Sequence, residues 1–205
     1  MAKKTMEEVA EEAKELGFPL FGIATKNFPP SLISKIFRIL AIVNKEPYEH
    51  LTPAEVTVIA TVVSSANGCE MWLSFHAGAL TQMAAMSEED LDNLIAGGIP
   101  QTQAMNGEHG RLYSIAAAAK VVYAHKGIVL PNEMKHLKAL GIDLGHELAE
   151  IQFVAANIQG LNQILPHYLN QDPEAVEENL RQVGPFKNTT YKMLSDAVRS
   201  EGQRV

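Results

Sequence analysis

The sequence predicts an all-α fold, for three reasons. Helix-start signals recur along the chain, apolar residues follow the three- and four-residue spacing of helices, and no segment alternates polar and apolar residues for long. Aromatic residues make up only 6% of the chain, a composition that favours helices over strands. With 46% hydrophobic residues, the chain can bury one core. We therefore predict a single domain over residues 1–205.

The first two predicted helices lie within residues 5–44. Thr5 followed by Glu8 is a capping box, and Gly17 is typical of a helix C-cap. The acidic residues of this first helix indicate a solvated face. After a loop with three prolines, residues 31–44 predict a mostly buried helix. Its polar residues share one side: Ser34, Lys35 and Arg38.

The third predicted helix has a complete start signal. Thr52 is placed to cap it, Pro53 takes the first helical position and Glu55 the third. Its β-branched residues also suit a strand, but the cap and the length favour a helix. Asn67 and Gly68 end it, and residues 69–86 predict the next helix.

Glycines and prolines separate the remaining predicted helices. These span residues 87–95, 111–125, 131–140, 145–165, 173–183 and 188–200. The last two form a C-terminal arm, residues 173–205, that we expect to dock on a neighbouring subunit.

The net charge of the chain limits the kinds of partner that it can bind. There are 17 Lys and Arg against 24 Asp and Glu, a net charge of -7, which argues against nucleic acid or an anionic membrane surface as a partner. The N-terminus is too polar for a signal peptide, and no apolar run reaches the ~18 residues of a membrane span. We therefore expect a soluble, cytoplasmic protein. The single cysteine cannot form an internal disulfide.

Two segments of the chain resemble each other. Residues 55–68, EVTVIATVVSSANG, and residues 147–160, ELAEIQFVAANIQG, share four identities over fourteen positions. A duplication into two pseudo-repeated helical halves would produce this match, and so would two buried helices with similar caps. The second segment is followed by Leu161 where the first is followed by Cys69.

The stretch NGCEMWLSFH, residues 67–76, holds the only cysteine and the only tryptophan. Together with the preceding helix, which opens LTPAEV, it resembles the core motif of the AhpD-like alkylhydroperoxidase and carboxymuconolactone decarboxylase superfamily. Redox members of that family carry N-G-C-x-x-C-x-x-x-H. The segment from Leu137 to Leu165 resembles the second half of the peroxidase-related branch, so the resemblance covers residues 51–169. It implies an AhpD-like helical fold and a homo-oligomer, as a dimer, trimer or hexamer.

The resemblance is incomplete at the residues that carry the chemistry. Cys69 matches the first motif cysteine and His76 the motif histidine, but the second cysteine, which attacks peroxide in the redox members, falls on Trp72. The family's glutamate, twelve residues before the first cysteine, falls on Thr57, and a histidine of some members falls on Met71.

Helix geometry indicates what these replacements change. A thiol at position 72 would lie one turn from His76, which could deprotonate it. Cys69 is about 10 Å from His76 along the axis, too far for a direct hydrogen bond. Its position at a helix N-terminus after Gly68 favours a thiolate, whereas the adjacent Glu70 opposes one. Cys69 is therefore either a thiol site or a small buried hydrophobe.

His76 is either a site residue or a core histidine stacked on Trp72 and hydrogen-bonded to the backbone. We expect Trp72 to fill the pocket, with Asn67, Thr57 and Met71 as further pocket residues.

Other candidate sites are weaker. The sequence HELAE, residues 146–150, lacks the second histidine of a zinc helix, and a solvated helix start explains it. Four other histidines show no ligand spacing with one another and suit surface or cap positions: His109, His125, His136 and His167. We expect no metal and no cofactor.

Three functions are consistent with the sequence. The first is a thiol-dependent peroxidase that uses Cys69 alone and needs an external thiol reductant, because no resolving cysteine exists. The second is a decarboxylase-like enzyme with His76 as acid or base. The third is a non-catalytic descendant of the family that acts as an oligomeric scaffold or binds a small molecule. Loss of the attacking cysteine and of the glutamate favours the third.

Overall fold

The computed structural model describes residues 4–16, 29–98 and 108–169, without the side chains of residues 70, 71, 74, 108, 109 and 165–169. Within these ranges the chain forms eight α-helices and no strand, which confirms the all-α prediction. The helices are α1 (Met6–Glu15), α2 (Pro30–Lys45), α3 (Pro53–Ala66), α4 (Glu70–Gln82), α5 (Glu88–Ile95), α6 (Glu108–Ala124), α7 (Pro131–Ala139) and α8 (His146–Leu169).

Helix α3 lies at the centre of the fold. It packs against α2, α4, α5, α6 and α8, and every residue from Glu55 to Ser64 is buried. A helix that is apolar on all sides must be enclosed by others, which explains this position. One cluster of buried apolar side chains extends from Val9 in α1 to Leu161 in α8.

The predicted helix starts are formed by the residues that signalled them. The Thr5 and Thr52 side chains each accept a hydrogen bond from the backbone N–H three residues later. In turn, the Glu8 carboxylate accepts from Thr5 N–H at 2.7 Å, and the Glu55 carboxylate accepts from Thr52 N–H at 2.6 Å. Ser87 caps α5 by accepting from Asp90 N–H at 3.2 Å. Capping boxes of this kind satisfy donors that a helix otherwise leaves without partners.

Three predicted boundaries are wrong. Helix α4 ends at Gln82 rather than at residue 86, because Ala84 turns to φ +50 and the next N–H bonds back to the Leu80 carbonyl. Helix α6 begins at Glu108 rather than at residue 111. Helix α8 continues through Pro166 to Leu169. Proline has no backbone N–H, so α8 lacks one helical hydrogen bond at Pro166, which lies in the last turn of the helix.

Helices α1 and α2 are joined by a polar network around Glu12. The carboxylate accepts from Lys4 Nζ and Arg38 Nε, each at 2.6 Å, and from the Ser34 hydroxyl. Partial burial opposes ionisation of Glu12, but these hydrogen bonds outweigh it and lower the pKa of Glu12 to about 2. The solvated-face interpretation of α1 is therefore wrong for Glu12, whereas Glu7, Glu11 and Glu15 are exposed.

Some predictions fall outside the described residues. These are the C-cap at Gly17, the two helices of the C-terminal arm, and the side chains of His109 and His167. Among the described helices, none combines the length and the apolar character that a membrane crossing requires.

Candidate functional site

The candidate site begins at the turn between α3 and α4. Gly68 adopts φ +64, its N–H donates to the Ser65 carbonyl and the Cys69 N–H donates to the Ser64 carbonyl, both at 3.0 Å. These two bonds are the Schellman motif that ends a helix, and the positive φ favours glycine. The NGC sequence therefore ends α3 and allows α4 to begin at Glu70, the residue after Cys69.

Cys69 is the N-cap residue of α4 and is 5% exposed. Its carbonyl accepts from Leu73 N–H at 2.9 Å, the first bond of the helix. The predicted position at a helix N-terminus is confirmed, so the thiol lies at the end of α4 where the helix dipole is positive. It is also buried, so a reagent in solution has little access to the sulfur.

Three rings cluster on the first two turns of α4. Trp72 stacks on His76 with ring centroids 5.6 Å apart and planes 25° from parallel. Phe75 meets Trp72 edge to face at 5.5 Å and His76 at 5.8 Å. The stacking of His76 on Trp72, which one of the two interpretations of His76 predicts, is present, but His76 Nε2 lacks the hydrogen bond that this interpretation also expects. Where the resemblance places a thiol beside His76, an indole covers the imidazole.

Three buried polar atoms in this stretch have no hydrogen-bond partner. They are Asn67 Nδ2, Trp72 Nε1 and His76 Nε2, and among the described residues no other buried side-chain nitrogen or oxygen is in this condition. His76 is 2% exposed, and this burial lowers its pKa to about 4. The imidazole is therefore neutral at pH 7. Buried polar groups are normally paired, so three exceptions within ten residues need an explanation.

Two other predicted pocket residues, Asn67 and Thr57, each use a side-chain oxygen in a hydrogen bond. The Asn67 side-chain oxygen accepts from the Tyr123 hydroxyl of α6 at 2.8 Å. Thr57 is buried, and its hydroxyl donates to the Pro53 carbonyl of its own helix at 2.8 Å. Thr57 therefore does not act as the carboxylate that the resemblance expects at its position. The side chain of Met71 lies outside the described part of the structure.

A partly buried ion-pair cluster, which the sequence did not reveal, joins the starts of α3, α6 and α8. Arg111 Nε donates to Glu55 at 2.7 Å, and Arg111 Nη2 donates to Glu147. The second oxygen of Glu55 accepts from Thr52 N–H, and that of Glu147 accepts from Asp143 N–H at 2.7 Å. Both carboxylates are 4% exposed. The interpretation of HELAE as a solvated helix start is therefore wrong for Glu147.

The ion-pair cluster around Arg111 involves equivalent residues of the two similar sequence segments. Glu55 and Glu147 are the first residues of the two matching segments, and each pairs with Arg111 and with a backbone N–H just before its own helix. Helices α3 and α8 also pack together. The halves differ after that, because α3 ends before Gly68 whereas α8 continues through Gly160. The duplication stays a prediction.

The sequence also did not predict several other polar contacts between distant parts of the chain. Asn162 of α8 donates to the buried hydroxyl of Ser64 at 3.0 Å. His50 stacks on His146 at 5.8 Å, and Glu150 accepts from the backbone of Glu49 and His50. In the described ranges, no group of three or more His, Cys, Asp or Glu side chains is arranged to hold a metal ion.

Comparison with models of known protein families, with curated proteins and with solved structures finds no match for this chain.

Proposed function

We propose that this chain is an AhpD-like protein whose 67–76 stretch binds a small molecule, with loss of the family's two-cysteine chemistry. The observation that carries the proposal is the set of three unpartnered buried atoms within the stretch that holds Cys69 and His76. Native proteins leave few such atoms, and each one calls for an explanation, of which a bound molecule that supplies the missing partner is one. The NGC motif and the all-helical fold support the family assignment.

The surroundings of His76 favour binding over thiol activation. The imidazole is stacked on Trp72, which occupies the position that would bring a thiol within one turn of it. Cys69 is seven residues away, about 10 Å along the helix axis. A general base must lie within hydrogen-bond reach of the proton it takes.

Binding is tested through the only tryptophan of the chain. In a ¹H–¹⁵N spectrum, Trp72 contributes the only indole N–H signal, so a set of small fragments can be screened by its displacement. We expect a saturable shift for some fragments, and loss of that shift in His76→Phe. The matched control is His136→Phe, at an exposed histidine of α7. If no fragment moves the indole signal, the binding proposal fails.

A second candidate, a single-cysteine peroxidase, is favoured by the position of Cys69 at the N-terminus of α4. In that reaction the Cys69 thiolate attacks the hydroperoxide, the O–O bond breaks, and the alkoxide leaves as an alcohol after taking a proton. The resulting sulfenic acid is reduced by two equivalents of an external thiol, which yields a disulfide and water.

The second candidate is tested by alkylation of Cys69 with iodoacetamide between pH 5 and 10. A peroxidase requires rapid alkylation of the native protein with a midpoint well below the ~8.5 of an ordinary thiol, and hydroperoxide consumption that Cys69→Ala abolishes. Reaction only after unfolding, or equal consumption by Cys69→Ala, would exclude this activity.

The resemblance also implies a homo-oligomer in the cytoplasm, and we include both in the proposal. Sedimentation equilibrium is expected to give two, three or six times the chain mass of 22.4 kDa. A mass of one chain at micromolar concentration would contradict the assembly.

A further inference from the structure

We infer that the 67–76 site takes an uncharged organic molecule that carries an acceptor oxygen on an apolar, planar body, such as an aromatic ketone, and that it discriminates against carboxylate anions. The inference rests on the proposed function and adds the chemical class of the ligand.

The unpartnered atoms require a ligand with acceptor oxygens. An indole Nε1–H and an amide Nδ2–H₂ only donate hydrogen bonds, so Trp72 and Asn67 both need acceptors. The Nε2 atom of a neutral histidine donates in one tautomer and accepts in the other. A carbonyl oxygen, with two lone pairs, satisfies donors of this kind.

The described contacts of these side chains involve only uncharged groups. Asn67 bonds to the Tyr123 hydroxyl, and Trp72 and His76 contact each other and Phe75. His76 itself is neutral at pH 7, because burial lowers its pKa to about 4. An anion that contacted only these described groups would lose its hydration without gaining an opposite charge, which disfavours it strongly.

The rings determine the shape of the ligand body. Trp72 and His76 stack on each other and Phe75 meets both edge to face, with centroid distances of 5.5 to 5.8 Å, so a ligand adds at the rim of this cluster. Aromatic groups add to such clusters by offset stacking or edge-to-face contact. Because Trp72 is 6% and His76 2% exposed, entry requires side chains near α4 to move. The apparent affinity is reduced by the fraction of time that the site is open.

Acetophenone and benzoate test the inference, because they share size and ring but differ in charge. Each is titrated into the ¹⁵N-labelled full chain at pH 7.5, with the Trp72 indole N–H signal as readout. We expect acetophenone to move it downfield saturably, as a new hydrogen bond to the indole would. The apparent affinity for benzoate should be at least about tenfold weaker. His76→Phe should weaken acetophenone binding, whereas His136→Phe should not.

Two other results would overturn the inference. Benzoate binding as tightly as acetophenone would contradict the uncharged class and leave small-molecule binding intact. If neither compound moves the indole signal, this ligand class is wrong, and an ordered water is then the simplest partner for the three atoms. Small-molecule binding itself would fail only if the wider fragment set also left the signal unmoved.

Discussion

Residue 76 is a histidine at a fully buried position, of the kind that apolar side chains usually occupy. It is 2% exposed and stacked on Trp72, and burial lowers its pKa to about 4 from the ordinary 6.5. In the pH range between these values the unfolded chain binds a proton that the folded protein excludes. The contribution of His76 to stability is therefore complete above about pH 6.5 and is lost as the pH falls toward 4.

Replacement of His76 by phenylalanine should remove this pH dependence. Between pH 7 and pH 4.5 the free energy of unfolding of the wild type should fall by about 2 kcal/mol more than that of His76→Phe. Urea unfolding at several pH values measures the difference, with His136→Phe as control. Equal pH slopes for wild type and His76→Phe would mean that His76 is protonated in the folded state as easily as in the unfolded one.

Two glycines that the repeat alignment makes equivalent have opposite roles. Gly68 has φ +64 and Gly160 lies inside α8, and a Cβ atom at either position would meet no atom within 4 Å. Only the backbone conformation then decides the effect of alanine. We expect Gly68→Ala to destabilise the protein by about 1 kcal/mol and Gly160→Ala to stabilise it by up to about 1 kcal/mol. Thermal unfolding of the two variants checks this, and an equal effect of both would contradict it.

Among the helices, the strongest constraint is the charge cluster at the starts of α3, α6 and α8. In the described contacts, the Arg111 side chain forms ion pairs with Glu55 and Glu147, each of which is 4% exposed. Removal of the arginine would leave two buried carboxylates, each with a single backbone hydrogen bond, which is more unfavourable than the loss of a surface ion pair.

Because the Arg111 side chain is 33% exposed, we expect Arg111→Met to lower the free energy of unfolding by about 2 to 4 kcal/mol, less than for a fully buried pair. The control Lys135→Met, at an exposed lysine of α7, should change it by less than about 0.5 kcal/mol. Adding Glu55→Gln and Glu147→Gln to Arg111→Met should restore part of the loss, since the unpaired charges are then gone. A triple variant less stable than Arg111→Met would show that the carboxylates act through their backbone bonds instead. Denaturant unfolding measures all of these.

Across the whole molecule, one apolar cluster links α1 at Val9 to α8 at Leu161, so we expect the chain to unfold cooperatively. Fluorescence of Trp72 and far-UV circular dichroism should then give the same midpoint in urea. Two separate midpoints would mean that part of the chain, such as the α1–α2 pair, unfolds independently.

Much of the helical framework could be predicted because its signals are local. Thr5 with Glu8 and Thr52 with Glu55 form their capping boxes within four residues, and Gly68 ends α3 through bonds to Ser64 and Ser65. The boundary errors occurred where local signals are ambiguous. Ala84 takes a positive φ that alanine seldom adopts, and Pro166 stands near the end of a helix that tolerates one missing bond.

The sequence by itself determined most of the described helices, the turn at Gly68 and the position of Cys69 at the start of α4, and it offered the stacking of Trp72 on His76 as one of two interpretations. Each depends on residues within one or two turns, where backbone geometry leaves few alternatives. Only the tertiary structure decided that Glu147 is buried against Arg111, that Asn67 bonds to Tyr123, and that three polar atoms lack partners. Burial and long-range pairing depend on how whole helices pack, and side-chain spacing along the chain does not encode that arrangement.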